Sequence, residues 1–541
     1  MRHDNGGDLL VAVLRELGID TVFGIVSVHN LPLVEAVDRE LRFVPVRHEA
    51  SAVNAADAYG RARGSIGCAL TSTGTGAGNA AGSLIESLSA GSSVLHVTGQ
   101  VESRFLGSGR GFIHETKDQL SMLTAVSAYA ASVPDTGQAG RILREAANAA
   151  LATPGGPASV EWPIDLQYAA QNDAPRALPS YLLPVPTDGE LESAGALLAS
   201  ARRPVIWAGG GAVRARRELT RLLEATGAAL VTSNSGRGAI PEDDERVIGN
   251  FATTPAVRAL LADADVLVTV GTHFRSNETA DYTLPLPGAH IQIDADAAAL
   301  GRVHPATHPL HGDAGTVLDA LLPYARRAED GWSERAASVR AEVRAALHDG
   351  IGPQAAICDA LRAALPREAV VARDVTIPSS SWGNRLLEIY DPRDNVFPRG
   401  GGIGQGLGMG IGAALARPDS PTVVIAGDGG LAVHLGELLT LAQERPRLTL
   451  LVFNDGGYGV LRNMQDRYAE RRSGVDLTTP GFEALAGACG LPYLRIAAEE
   501  HAGPVIAEAV ATDGPVLVEV DLTALGPMKN PFTPPVRIPG Q

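Results

Sequence analysis

Short apolar runs alternate along this chain with stretches of helical period. TVVIAGDGG (422–430) is one run and LTLLVFNDGGYG (448–459) another; between them VHLGELLTLAQER carries leucines at helical spacing. Strand, loop, helix and strand in that order predict a βαβ unit with parallel strands. Parallel strands end on one edge of the sheet, where α/β proteins bind ligands. Asp428 follows the first run, and Asn454 and Asp455 follow the second. Acidic side chains and glycine-rich backbone therefore converge on that edge. The set suits a hard cation carrying a phosphorylated ligand; it also fits a turn whose acids cap helices.

The same grammar recurs. FVPVRHEASAVNAADAYGRARG (43–64) predicts a strand running into a helix that starts near Glu49. LTSTGTGAGNAAGSLIES (70–87) predicts strand, glycine loop and helix, and FPRGGGIGQGLGMGIGAAL (397–415) a glycine-rich helix entry. RRPVIWAGGGAV, DADVLVTVGTHF and GAHIQIDAD predict buried parallel strands in the middle of the chain. The fold class expected is α/β, with three doubly wound parallel-sheet domains in series: residues 1–183, 187–324 and 353–541. The charged stretch 326–352 is expected to be a helical linker. GPASVEWPIDL and GPVLVEVDL close the first and last domains alike, which suggests that those two share one fold. Gly209-Gly210-Gly211 lacks the later acid of a dinucleotide site, so the middle domain is expected to be structural.

Composition narrows the class. The 541 residues are 45% hydrophobic and 4% aromatic, with a formal net charge of −16. Such acidity argues against nucleic acid or an anionic membrane as partner and says little about a small-molecule substrate, because local fields can oppose the global one. Cys68, Cys358 and Cys489 are widely spaced and odd in number, so they are expected to be buried free thiols of a reducing cytosol. No apolar run approaches the ~20 residues of a membrane span and the start has no signal-peptide pattern. The expectation is a cytoplasmic protein.

Gly427-Asp428-Gly429 followed by Asn454-Asp455 resembles the metal–diphosphate motif of thiamine diphosphate (ThDP) enzymes. The resemblance implies Mg²⁺ held by Asp428, by the side chain at 455 and by the carbonyl of Gly457. Position 455 departs from the family, where asparagine is usual: either the metal absorbs the added charge, or Asn454 takes the role. The Glu49 segment resembles the glutamate segment of the acetohydroxyacid synthase, pyruvate decarboxylase and benzaldehyde lyase superfamily. There a carboxylate hydrogen-bonds pyrimidine N1′ and makes the 4′-nitrogen a base toward thiazolium C2. By the same resemblance Thr73 stands at the position of a coenzyme-contacting serine. The carbonyl of Gly401 would accept from the 4′-amino group, and Ile403 would wedge the coenzyme into a V.

His29, in FGIVSVHNLP, and His114, in GFIHETKDQ, are the proton-transfer candidates, with Ser72, Gln119, Thr376 and Gln405 as further pocket residues. The family likeness implies a homodimer or homotetramer with sites between subunits. It also implies C–C bond making or breaking on 2-oxo acids or 2-hydroxy ketones. An acetolactate-synthase-like carboligase comes first, then a 2-oxo acid decarboxylase or hydroxyketone lyase, with a non-catalytic ThDP-binding paralogue as the rival from another class. The proline-rich tail from Ala524 onward is expected to be a lid or a free end.

Overall fold

A computed structural model describes residues 2–173 and 181–534. It contains three six-stranded sheets, all parallel within each sheet. In the first, the spatial order is Arg42–Pro45, Thr21–Gly24, Gly67–Thr71, Val94–Gln100, Pro157–Pro163, Tyr129–Ser132. In the last it is Asn395–Val396, Val370–Arg373, Thr422–Gly427, Leu448–Asn454, Val516–Asp521, Tyr493–Ile496. Numbered within their own sheets, both run 2-1-3-4-6-5. The two look-alike endings seen in the sequence are the same strand of the same topology.

The middle sheet, Val247–Gly249, Ala229–Thr232, Pro204–Ala208, Val266–Val270, His290–Asp294, His308–His311, runs 3-2-1-4-5-6. That is the doubly wound order associated with dinucleotide folds. Its inner strands, such as PVIWA and VLVTV, are buried throughout, because helices cover both faces of a parallel sheet. At the switch point the glycine loops meet. Gly211 N–H donates to Gly271 C=O at 3.1 Å, and a Cβ on Gly209 would stand 2.1 Å from the same oxygen.

The stretch read as a linker is the helix Trp332–Gly350, and it is packed rather than extended. Trp332 is buried, and its indole N–H donates to Pro204 C=O at 3.0 Å. Around it one continuous apolar cluster joins Val205 and Trp207 of the middle sheet to Val423 and Val518 of the last. A buried ion pair reinforces the junction: Arg237 binds Glu242 and donates across to Gly383 C=O and Leu387 C=O.

The first and last domains meet along two helices. Glu49–Arg63 packs on Gly406–Ala416, a helix buried on nearly every side. Glycine makes this approach possible, since a Cβ on Gly412 would lie 2.0 Å from Ala55 C=O.

Among the described residues no helix is long and apolar enough to cross a membrane. Cys68 and Cys358 are buried free thiols, whereas Cys489 is partly exposed, because it caps the short surface helix Phe482–Ala488. The described part of the tail is tethered. Asn530 N–H donates to Gly350 C=O at 2.9 Å and Phe532 C=O accepts from Asn463 at 2.8 Å. Its remainder, 535–541, and the end of the first domain at 174–180 lie outside the described residues.

Candidate active site

Four adjacent strands of the last sheet end in a carboxylate; Asp521, closing Val516–Asp521, is taken up by Arg495 and by capping the next helix, which leaves three. Asp374, Asp428 and Asp455 follow Val370–Arg373, Thr422–Gly427 and Leu448–Asn454. Asp428 is buried, which raises its pKa, while the backbone N–H groups of Asp455, Gly429 and Gly457 oppose the rise. Asp455 is pushed up to about 6, first by burial and then by the charge of Asp428, against the pull of Arg462. Asp428 Oδ2 and Asp455 Oδ1 are buried without a hydrogen-bond partner. Asn454 instead donates to Glu519 Oε1 at 2.7 Å. Neighbouring residues on a strand face opposite ways, so it is Asp455 that shares a pocket with Asp428.

Glycines close the loops over this pocket. A Cβ on Gly429 would stand 2.7 Å from Gly457 C=O, and one on Gly457 would stand 2.1 Å from Val475 C=O. Thr376 packs on Gly427, its Oγ1 2.9 Å from where a Cβ would be.

Asp374 was not singled out from the sequence, although VVARD ends as the other two runs do. Fully buried, with its pKa raised by burial, it accepts from the N–H groups of Val375 (2.6 Å), Gly404 (3.0 Å) and Gly406 (3.1 Å). It therefore fastens the loop that carries Gly401 (φ +90°) and Ile403. From the first domain, buried Glu86 accepts from Gly400 N–H and Gly402 N–H and clasps the other side. Ile403 itself is 41% exposed, unusual for isoleucine beside a buried helix. Gln405 is buried, its side chain against Gly402.

The corresponding edge of the first sheet carries the other candidates. Glu49 opens its helix, with His48 as cap: His48 Nδ1 accepts from Ala50 N–H at 3.2 Å. The Glu49 carboxylate is buried and accepts from Asn79 Nδ2 at 3.0 Å. Gly76 leaves room for it, as a Cβ there would lie 2.9 Å from Glu49 Oε1. His48 also faces His434, ring centroids 5.0 Å apart, and His434 Nδ1 lies 2.8 Å from Gly404 C=O. The Glu49 helix start and the Ile403 loop are thus linked through two histidines.

Thr73 is fully buried, and its hydroxyl donates to Gln119 Oε1 at 2.8 Å. Gln119 also accepts from Gly74 N–H and donates to Glu161, bracing the turn from within. Neither Asn79 nor Glu161 carried a sequence signal. His29 and His114 come together, ring centroids 5.2 Å apart and nearly perpendicular. Both His29 nitrogens and His114 Nδ1 lack partners. Burial, then the proximity of His114, lowers the pKa of His29, so its imidazole is neutral at pH 7. The backbone of His114, at φ +66°, lies against Gly74, two residues from the glycine that seats Glu49.

Family models match all three domains: the thiamine pyrophosphate enzyme N-terminal TPP binding domain over 4–122, the central domain over 191–321, and the C-terminal TPP binding domain over 378–520. The chain belongs to the thiamine pyrophosphate enzymes.

Among similar members is a probable 2-ketoarginine decarboxylase of Pseudomonas aeruginosa, 33% identical over 492 residues, 90% of this chain and 88% of that protein. The acetolactate synthase large subunit of Mycobacterium tuberculosis is 30% identical, covering 95% of this chain and 87% of its own. The acetolactate synthase isozyme 2 large subunit of Escherichia coli is 28% identical over 96% of both. As a thiamine pyrophosphate enzyme the chain has Glu49 and the histidines within the N-terminal TPP-binding match and Asp428 and Asp455 within the C-terminal one, with Asp374 just ahead of it.

Proposed function

We propose that this enzyme uses ThDP and Mg²⁺ to break, and then to make, a carbon–carbon bond in a 2-oxo acid. The observation that carries the metal is the pair of orphaned oxygens on Asp428 and Asp455, buried with a glycine carbonyl at 457 beside them. Two such oxygens and a carbonyl are the hard donors that Mg²⁺ selects. The bound coenzyme supplies a nucleophilic carbon and an electron sink for the bond that is cleaved.

The remaining chemistry belongs to the chain. Glu49 would hold the pyrimidine N1′ by a hydrogen bond, and Asn79 fixes its carboxylate for that task. Ile403 would support the bent ring system, and Asp374 and Glu86 keep its loop from yielding. His29 and His114 would exchange protons with the substrate oxygen or carbon through ring nitrogens that make no hydrogen bond within the protein. The middle domain is read as structural, its two glycine loops being in contact.

Loss of CO₂ from a 2-oxo acid is the proposed first half-reaction, supported by the name of the 2-ketoarginine decarboxylase. Carboligation onto a second carbonyl is the preferred second half, supported by the acetolactate synthases. Protonation and release, supported by the histidine pair and by the 2-ketoarginine decarboxylase, is the second reading. Incubation with pyruvate and with 2-ketoarginine, ThDP and Mg²⁺ present, separates them by product: an acetohydroxy acid or an aldehyde. No CO₂ from any 2-oxo acid refutes both.

The site is proposed to be completed by a second copy of the chain. Val26 and Val28 beside His29, and Ile403 and Val433 beside the metal loop, are exposed apolar side chains fringing the two edges. Light scattering that finds only monomer would refute this.

A further inference from the structure

The two-carboxylate pocket has a third charged member. Arg462 lies one helical turn beyond the metal loop, in Gly459–Tyr468, with its side chain 14% exposed. Its Nη1 donates to Asp455 C=O at 3.1 Å and stands 3.5 Å from Asp455 Oδ2. Its Nε donates to Asp476 Oδ1 at 2.8 Å, and Asp476 pairs through its backbone with Gly457. The absence of a side chain at 457 admits the guanidinium, whose Nη2 would otherwise stand 3.2 Å from a Cβ. Arg462 therefore touches the carboxylate from the side opposite the orphaned oxygen.

We propose that Arg462 is a positioning residue and built-in counter-charge, which lets Asp455 serve in a pocket that must also accept a diphosphate. The inference rests on the ThDP–Mg²⁺ reading above. Two carboxylates attract a divalent cation but repel the anionic diphosphate that follows it. One fixed guanidinium, shared between Asp455 and Asp476, offsets part of the negative charge that Asp428 and Asp455 would otherwise present to the diphosphate. At its separation from Asp455, with both side chains mostly buried, the Coulomb attraction is screened less than in a surface ion pair. The same side chain ties loop 455–459 to the segment at 476, so charge and geometry are set together.

The effect has a signature that a purely structural arginine lacks. In Arg462→Gln, calorimetry on the full chain should show ThDP binding in the presence of Mg²⁺ weakened about 10- to 100-fold, while Mg²⁺ alone binds no more weakly than to wild type. Adding Asp455→Asn removes the charge that Arg462 balances and should restore coenzyme binding to within about threefold. Arg462→Lys keeps the charge and should stay within about tenfold of wild type, and it serves should Arg462→Gln fail to fold. Parallel weakening of Mg²⁺ alone, or a double variant as weak as the single one, would reduce Arg462 to a loop tie. Arg462→Lys binding as poorly as Arg462→Gln, or wild-type affinity in Arg462→Gln, would also overturn the proposal. Wild-type protein that takes up no coenzyme with Mg²⁺ would overturn the ThDP–Mg²⁺ reading instead.

Discussion

Adding one methyl group at Gly412 probes how the acid of the first domain is held against the last. The new Cβ would lie 2.0 Å from Ala55 C=O and 2.7 Å from Ala55 Cα, both backbone atoms that cannot rotate aside. Restoring normal contact moves the two helices apart locally by roughly 1.5 Å. Overpacking of this kind costs about 1–3 kcal/mol, and the upper end applies because neither partner is a flexible side chain. Ala55 and Glu49 share one helix, so the displacement is carried to the carboxylate that Asn79 and Gly76 hold in place. Gly412→Ala should lower the thermal midpoint by several degrees and weaken coenzyme binding. Gly189→Ala is the control: nothing lies within 4 Å of its Cβ, and it should leave or raise the midpoint. A Gly412→Ala protein that melts and binds coenzyme like wild type would refute the argument that this seam is backbone against backbone.

Glu49→Gln should leave the fold intact and slow hydrogen–deuterium exchange at C2 of bound coenzyme by about 100-fold or more, read by NMR after acid quench; unchanged exchange would remove Glu49 from its role. Asp374→Asn replaces an acceptor of three backbone N–H groups by a side chain that also donates, and should cost about 1–3 kcal/mol in denaturant unfolding while loosening coenzyme binding. His96, buried between Thr71 and Ser159, has its pKa lowered by burial from 6.5 to about 4. The unfolded chain therefore binds the extra proton between those values, so stability is lost as pH falls from about 6.5 toward 4, by about 3 kcal/mol for this residue. His96→Gln should flatten that slope, and an unchanged profile would place the acid sensitivity elsewhere.

Much of the architecture is legible because buried parallel strands announce themselves as short apolar runs. Asp428, Asp455 and Glu49 follow from where such runs end or where a helix begins. Asp374 escaped because its run carries Arg373 and no glycine follows it, so the ending does not look like a ligand loop. Thr73 is placed by its position in a motif, which does not say which side of a turn its hydroxyl faces. Only packing shows it turned inward to Gln119. Glu86, Asn79 and Arg462 act through partners distant in sequence or across a fold of the chain, and no local period encodes such pairings. The choice between Asn454 and Asp455 needed the strand's pleat and the position of Glu519.

The shared 2-1-3-4-6-5 winding has a consequence for how this chemistry could be altered. Scaffold and reactivity are separable here: two copies of one spatial plan present unlike tasks solely through what was grafted at their tips. Exchanging tip segments between the twin modules, strand end for strand end, is therefore a rational way to relocate a carboxylate or an imidazole without redesigning either sheet.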